Sequence, residues 1–170
     1  NFKNSIKAAL AIEVFHNFTL MHDDIMDQAP LRRGVVTVHE KWGKNIAILS
    51  GDVMLVESYK LLMSVDNNNL RSILHVFNKA ATEVCEGQQM DMDFETRDDV
   101  SIEEYLKMIE YKTSVLLAAS MKIGAINGGA SKKQSNLLYE FGKNMGIAFQ
   151  LQDDLLDAFG DPYKFGKQVG

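Results

Sequence analysis

The chain has 170 residues, with 18 lysines and arginines against 23 aspartates and glutamates, so its formal net charge is −5. This acidic balance argues against a nucleic-acid partner, because binding to phosphate backbones requires a surplus of basic residues. No apolar run approaches the ~20 residues that a membrane span needs. The single cysteine, Cys85, cannot form an internal disulfide, which predicts a reducing, cytoplasmic location.

The predicted elements are helical from the start of the chain. The only two prolines are Pro30 and Pro162, so residues 31–161 contain none. This favours long unbroken helices and an all-α fold. Apolar residues recur at three- and four-residue steps over about 6–26, which predicts the first helix. Residues 29–45 are predicted to form a polar, basic loop, in which 35–38 is compatible with a short strand.

Four further helices are predicted after this loop, each from a repeating apolar stripe. Ser101 with Glu104, and Ser131 with Gln134, have the spacing of capping boxes and predict the starts of the last two helices. With no linker or low-complexity segment, the chain is predicted to form a single domain over 1–170. The four helices are predicted at about 50–63, 70–94, 101–126 and 131–159.

One acidic pattern, Asp-Asp-x-x-Asp, occurs twice, at 23–27 and 153–157, each time just before a predicted helix break. In a helix the first and last aspartates of each copy lie one turn apart on one face, where both can bind one cation or a pair of cations. Three carboxylates near the negative end of a helix dipole also repel one another unless cations neutralise them. The candidate metal ligands are Asp23, Asp24, Asp27, Asp153, Asp154 and Asp157.

Oxygen-only ligands favour a hard cation, and Mg²⁺ in particular. Mg²⁺ is typically held by one or two carboxylates together with substrate phosphate oxygens, so two such clusters indicate a ligand with linked phosphates. Outside the six motif aspartates, acidic and basic residues nearly balance, so the excess negative charge is concentrated in the candidate site. The alternative is a solvated surface feature, and the repetition of the pattern argues against it.

The sequence around both motifs is distinctive. Residues 21–27 read Met-His-Asp-Asp-Ile-Met-Asp and are followed at 31–34 by Leu-Arg-Arg-Gly, while 149–157 read Phe-Gln-Leu-Gln-Asp-Asp-Leu-Leu-Asp. These segments resemble the two aspartate-rich motifs and the paired arginines of the all-trans isoprenyl diphosphate synthases, or polyprenyl synthetases. Further motifs of that family have counterparts at 87–91, 111–113 and 166–167. Family members are longer, and their N-terminal Gly-Gly-Lys-x-x-Arg segment has no counterpart here, so the chain resembles an internal fragment lacking N- and C-terminal parts.

The resemblance implies an antiparallel helical bundle of the isoprenoid synthase type, with a central cavity, that assembles as a homodimer. It implies a prenyltransferase that condenses isopentenyl diphosphate with an allylic diphosphate, head to tail and in the trans configuration. The cofactor would be Mg²⁺, with three ions per site. The product would be a short-chain C15 or C20 isoprenyl diphosphate, farnesyl or geranylgeranyl diphosphate.

The resemblance also assigns roles to charged residues. Asp23, Asp27 and Asp153 would bind Mg²⁺ directly, and the other three motif aspartates would complete or orient the metal shell. Arg33 would hold the diphosphate of isopentenyl diphosphate. The cations that assist departure of the allylic diphosphate would be Arg32, Lys112 and Lys167.

Neutral residues receive roles from the same resemblance. Thr113 and Gln150 would face the developing allylic cation with their oxygen dipoles. Phe18, five residues before the first motif, would form the floor of the product tunnel, with Thr19 one step nearer. Periodicity alone favours a purely structural core position for Phe18. A bulky residue here limits product length in the family, which supports the short-chain prediction.

Three alternatives remain open. A class I terpene cyclase shares the carboxylate chemistry, but its second metal motif usually mixes Asn or Asp with Ser or Thr and Glu. A di-iron carboxylate bundle needs two Glu-x-x-His sequences, whereas this chain has one, at 13–16. A non-catalytic, synthase-like subunit that modifies another chain's product length is disfavoured by two intact metal motifs.

Overall fold

The computed structural model describes residues 2–159. These residues form helices joined by short connections, which confirms the predicted all-α fold. Strands β1 (Leu31–Arg32) and β2 (Val35–Val36) pair antiparallel, and a π-helical turn, Glu110–Ser114, joins two of the helices. Within the described part, no helix combines the length and apolar character needed to cross a membrane. Helices α1 to α7 span Phe2–Met26, Val38–Trp42, Lys44–Met63, Asn67–Phe94, Ile102–Ile109, Val115–Asn127 and Lys132–Phe159.

The described residues divide into two compact units, of which the first comprises 2–74 together with 126–129. Helix α1 packs along α3, and the short α2 lies against both. Gly51 on α3 permits this close approach, because a Cβ atom there would lie 2.3 Å from Nε2 of His22. The side-chain amide of Asn69 donates to the carbonyl of Ile126 at 3.3 Å, which ties 126–129 to this unit. The most buried side chains of the unit include Ala11, Phe15, Ala47 and Leu62.

The predicted loop at 29–45 is wrong in its second half. Residues 38–42 form α2, and α3 begins at Lys44 rather than near residue 50. Gly43, with φ of +95°, ends α2, and its N–H donates to the carbonyl of His39. A helix of five residues is too short to show a periodic pattern, which explains why the sequence did not predict it.

The predicted strand near 35–38 is present as β2, and its partner β1 was not predicted. Arg33 and Gly34 connect the two strands, with φ of +52° and +76°. Positive φ at both central residues is the requirement of a tight type I′ hairpin turn. The turn therefore folds 31–36 into a ribbon that follows α1.

Among the described residues, the second unit comprises 75–125 together with 130–159. Here α7 packs against α5 and against the π-turn, Glu110–Ser114. Gly146 on α7 permits this contact, because a Cβ atom there would lie 2.7 Å from Cα of Ser114. Its most buried side chains include Phe77, Ala80, Val115, Ala118 and Ile123.

Both predicted capping boxes are confirmed. Ser101 Oγ accepts from Glu104 N at 3.2 Å, and Ser101 N donates to the Glu104 carboxylate at 2.9 Å. Ser131 and Gln134 make the same reciprocal pair at 3.3 and 3.0 Å. The helix predicted from residue 101 to 126 is wrong in one respect, because the π-turn divides it into α5 and α6.

Candidate active site

The first aspartate motif lies where α1 ends. Asp23 and Asp24 belong to its last turn, and Asp27 follows Met26, the final residue of the helix. The N–H of Asp27 still donates to the carbonyl of Asp23 at 2.9 Å, so the helical path continues through the motif. The three carboxylates therefore gather at the negative end of the helix dipole, as the sequence predicts.

Arg32 on β1 binds the first two aspartates of this motif. Its Nε donates to Asp24 Oδ1 at 2.7 Å, and its Nη2 donates to Asp23 Oδ2 at 2.9 Å. Asp24 is only 7% exposed, so this guanidinium supplies a counter-charge to a buried carboxylate. Partial burial lowers the pKa of Arg32, but the hydrogen bonds and charges of Asp24 and Asp23 outweigh it and raise that pKa above its usual value.

The donor chemistry of this motif fits Mg²⁺. All candidate ligands are carboxylate oxygens, and two of the carboxylates already converge on one cationic group. In the described part of the chain, however, no three His, Cys, Asp or Glu side chains are gathered as a ready-made metal site. Arg32 occupies one oxygen of Asp23 and one of Asp24, so a cation that binds through those two oxygens would compete with Arg32.

The other predicted residues of the first unit occupy distinct environments. Arg33 is exposed at the turn of the hairpin. Phe18 is 8% exposed, and its ring lies 5.5 Å from that of Phe15 and 4.6 Å from the imidazole of His22, centroid to centroid. Thr19 Oγ1 donates to the carbonyl of His16 at 2.8 Å. Phe18 is thus packed as a core residue within one and a half turns of the motif.

The second aspartate motif lies near the C-terminal end of α7, which ends at Phe159. Asp153 is half-buried and Asp157 is exposed. Asp154 accepts hydrogen bonds at both carboxylate oxygens, from the hydroxyl of Tyr105 at Oδ2 and from Gln150 Nε2 at Oδ1, the latter at 2.7 Å. Burial and the hydrogen bond to Asp154 raise the pKa of Tyr105 to about 12, so its hydroxyl stays protonated at neutral pH.

The π-turn presents Lys112 and Thr113. Lys112 Nζ donates to Asp91 Oδ2 at 2.5 Å, and Thr113 Oγ1 donates to Gln150 Oε1 at 2.9 Å. Gly87 on α4 allows the backbone of the turn to come close, because a Cβ atom there would lie 2.2 Å from Lys112 N. Such π-turns occur frequently at functional sites, and here the widened turn carries two of the predicted site residues.

The structure brings six of the predicted residues into two groups. In the first unit Arg32 joins Asp23 and Asp24, and in the second Thr113 joins Gln150 and Asp154. Lys167 lies outside the described residues.

Two contacting residues were missed from the sequence, Asp91 and Tyr105. Asp91 closes the 87–91 motif, so its position in that motif was an available signal. Tyr105 carries no such mark, since a tyrosine in a helix is ordinarily a packing residue.

Comparison with known proteins identifies the family. The profile of the polyprenyl synthetase family matches residues 1–170. The chain belongs to the polyprenyl synthetase family. The match covers both aspartate motifs, the paired arginines and the π-turn residues, so the two groups of contacts described above lie within a polyprenyl synthetase chain.

Three similar proteins illustrate this membership. A geranylgeranyl diphosphate synthase of Methanosarcina mazei is 48% identical over 172 aligned residues, which cover 100% of this chain and 53% of that protein. A crystal structure of a geranylgeranyl pyrophosphate synthase has a TM-score of 0.94 at 57% identity and covers 99% of this chain and 51% of its own. The corresponding structure from Pyrococcus horikoshii has a TM-score of 0.93 at 43% identity, with coverages of 100% and 53%. This polyprenyl synthetase chain thus spans about half the length of the relatives it matches.

Proposed function

We propose that the full-length protein is a Mg²⁺-dependent trans-prenyltransferase. It condenses isopentenyl diphosphate with an allylic diphosphate, head to tail, and releases a C15 or C20 isoprenyl diphosphate. The observation that carries this proposal is the pair of Asp-Asp-x-x-Asp motifs, each at the end of a helix, in a chain of the polyprenyl synthetase family. The similarity to geranylgeranyl diphosphate synthases supports the short-chain product.

The six motif aspartates are proposed to hold three Mg²⁺ ions. Asp23, Asp27 and Asp153 are the direct ligands, whereas Asp24, Asp154 and Asp157 complete or orient the shell. This division comes from the family resemblance, and Asp24 and Asp154 can orient the shell because side chains of other elements hold them, Arg32 at Asp24 and Tyr105 at Asp154; Arg32 also holds Asp23. Bound Mg²⁺ supplies charge neutralisation for the diphosphate that leaves the allylic substrate.

The basic residues bind the two diphosphates. Arg32, Lys112 and Lys167 hold the allylic diphosphate and stabilise its charge as it departs, and Arg33 holds the diphosphate of isopentenyl diphosphate. Arg32 and Lys112 both form ion pairs with aspartates in this structure. Each can therefore bind a carboxylate when the substrate is absent. Arg33 is exposed on the hairpin turn, so its side chain can contact a ligand without any change in the helices.

The remaining chemistry is that of a carbocation. Loss of diphosphate leaves an allylic cation, and the double bond of isopentenyl diphosphate attacks it, so no protein nucleophile is required. Thr113 and Gln150 are proposed to face the cation with their oxygen atoms, and the hydrogen bond between them keeps the two oxygens 2.9 Å apart. The departing diphosphate accepts the final proton.

The proposed assembly and product follow from the family. The protein is proposed to act as a cytoplasmic homodimer with residues 1–170 as the core portion of a single synthase domain. Phe18 is proposed to form the floor of the product tunnel, with Thr19 beside it.

The test is elongation by the full-length protein. It is incubated with isopentenyl diphosphate and a C5, C10 or C15 allylic primer, with Mg²⁺ or with EDTA, and the products are read by mass spectrometry. We expect a linear C15 or C20 diphosphate with Mg²⁺ and none with EDTA. Asp153→Asn should abolish elongation, whereas the matched control Asp98→Asn, on an exposed aspartate, should not.

Two outcomes would contradict the proposal. Hydrocarbon release without elongation would indicate a terpene cyclase. Absence of any product with every primer would indicate a non-catalytic subunit.

A further inference from the structure

We propose that Tyr105 is a positioning residue for Thr113 and Gln150 and that it acts through Asp154. The inference rests on the proposed prenyl transfer, in which these two residues face the allylic cation. It adds a residue that none of the sequence motifs contains, and it specifies the side chain that Asp154 orients, which is that of Gln150.

Four side chains form a continuous chain of hydrogen bonds across the second unit. The Tyr105 hydroxyl donates to Asp154 Oδ2, and Gln150 Nε2 donates to Asp154 Oδ1 at 2.7 Å. Gln150 Oε1 in turn accepts from Thr113 Oγ1 at 2.9 Å. The chain thus begins on α5, crosses to α7 and returns to the π-turn.

The direction of these bonds determines which atoms remain for a substrate. An ionised carboxylate only accepts, so Asp154 fixes the Gln150 amide with its nitrogen toward Asp154 and its oxygen toward the π-turn. The hydroxyl hydrogen of Thr113 is then committed to Gln150. The lone pairs of Thr113 Oγ1 remain as acceptors, which is the orientation that stabilises a nearby positive charge.

Tyr105 anchors the far end of this arrangement. Without its hydroxyl, Asp154 Oδ2 loses its donor and the carboxylate is free to rotate. The Gln150 amide then loses its fixed partner, and the Thr113 hydroxyl can turn its hydrogen toward the cation. Tyr105 and Asp154 are both half-buried, and the acceptor is a charged carboxylate. Both features strengthen the bond between them, because hydrogen bonds to charged groups are stronger than bonds between neutral groups.

The π-turn is what lets Tyr105 and Thr113 reach the same helix. Thr113 follows Tyr105 by eight residues, which on an ideal α-helix would place the two side chains about 80° apart around the axis. The i to i+5 bonding of the turn at Glu110–Ser114 turns less per residue and reduces this offset. Both side chains consequently face Gln150 and Asp154 on α7.

The first test is steady-state kinetics of the full-length protein. Tyr105→Phe removes only the hydroxyl, and we expect kcat to fall roughly tenfold while KM for both diphosphates stays within about twofold. Tyr139→Phe is the matched control, because Tyr139 belongs to the same unit and lies on α7 away from the aspartate motif. This variant should leave both constants unchanged. Equal losses in the two variants, or a rise in KM alone for Tyr105→Phe, would overturn the proposal.

A double-mutant cycle separates positioning from general damage to the fold. Thr113→Val removes the hydroxyl at the end of the chain while keeping its shape. In that background Tyr105→Phe should lower kcat by less than about twofold, because the group it orients is gone. A full tenfold loss in both backgrounds would show that Tyr105 acts by another route.

The third readout does not depend on turnover. With ¹⁵N-glutamine labelling, the Gln150 side-chain amide is assigned by its loss in Gln150→Glu, and its proton exchange is measured by NMR. We expect faster exchange in Tyr105→Phe and no change in Tyr139→Phe, whereas equal exchange in both would refute the hydrogen-bond chain. If the wild-type protein does not elongate any allylic primer, the proposed function is refuted instead. The amide exchange measurement then still tests whether the hydrogen-bond chain exists.

Discussion

The guanidinium of Arg32 binds Asp24 through Nε at 2.7 Å, and this contact places a protein cation on the first aspartate motif. The same group reaches Asp23 at 2.9 Å. A metal ion that binds through these two carboxylate oxygens must therefore compete with Arg32. Because Arg32 is also the proposed diphosphate ligand, its release would couple metal binding to substrate binding.

This competition predicts that Arg32→Gln tightens cation binding when no diphosphate is present. A partly exposed ion pair contributes ~0.2–1 kcal/mol, so the affinity for Mn²⁺, as a probe of the Mg²⁺ site, should rise by up to roughly fivefold. Affinity for a non-hydrolysable allylic diphosphate analogue should fall in the same variant. Isothermal titration measures both, and Arg33→Gln is the neighbouring control for the metal titration. Unchanged or weaker Mn²⁺ binding in Arg32→Gln would contradict the competition.

Gly87 makes a second prediction possible, because its lack of a side chain admits the π-turn. A Cβ atom at this position would lie 2.2 Å from Lys112 N, which is backbone and cannot move aside cheaply. Gly87→Ala should destabilise the protein by about 1–3 kcal/mol and weaken the Lys112 to Asp91 contact. Urea unfolding measures the change in stability.

Gly124→Ala is the matched control on α6. Beyond the neighbouring backbone of its own helix, no atom lies within 4 Å of the Cβ position there, so the substitution should be neutral or stabilise the protein by up to about 1 kcal/mol. Equal destabilisation of both variants would show that close contact at the π-turn is not the cause.

The buried ring of Phe18 leads to a prediction about product length. Phe18→Ala should let the product grow beyond the wild-type length, at a stability cost of ~3–5 kcal/mol because the ring is packed against Phe15 and His22. Product mass after elongation by the full-length protein measures the first effect and thermal unfolding the second. Phe141→Ala, on an exposed phenylalanine of α7, should change neither appreciably. An unchanged product distribution in Phe18→Ala would contradict the proposal that Phe18 forms the floor of the product tunnel.

The capping box of α5 predicts a dependence of stability on acid. The backbone hydrogen bond from Ser101 and the ion pair with Arg97 lower the pKa of Glu104 to about 2 from its ordinary 4.5. A carboxylate with a depressed pKa stabilises the fold above pH 4.5, and this contribution is lost as the pH falls toward 2. Glu104→Gln keeps a capping side chain but has no charge to lose. The Tm difference between wild type and Glu104→Gln should therefore be constant above about pH 5 and shrink below it, and a difference that does not vary with pH would contradict this.

The sequence by itself determined the helical fold, the family and the two aspartate motifs. Proline-free apolar periodicity predicts long helices because helix propensity and side-chain repeat act locally. The capping boxes at Ser101 and Ser131 were predictable for the same reason, since each satisfies backbone groups only three residues away. Motif spacing likewise reports which carboxylates share one helical face.

Only the tertiary structure decided which partners these side chains have. Arg32 contacts Asp24 because a hairpin with positive φ at Arg33 and Gly34 follows α1, and the five-residue α2 follows this hairpin. Neither the hairpin nor α2 produces a periodic pattern in the sequence. The Tyr105 to Asp154 bond depends on a π-turn that changes the register of a helix, and this turn is packed between Gly87 and Gly146. Such contacts join residues far apart in the chain, so local propensity and spacing cannot specify them, whereas close packing of helices does.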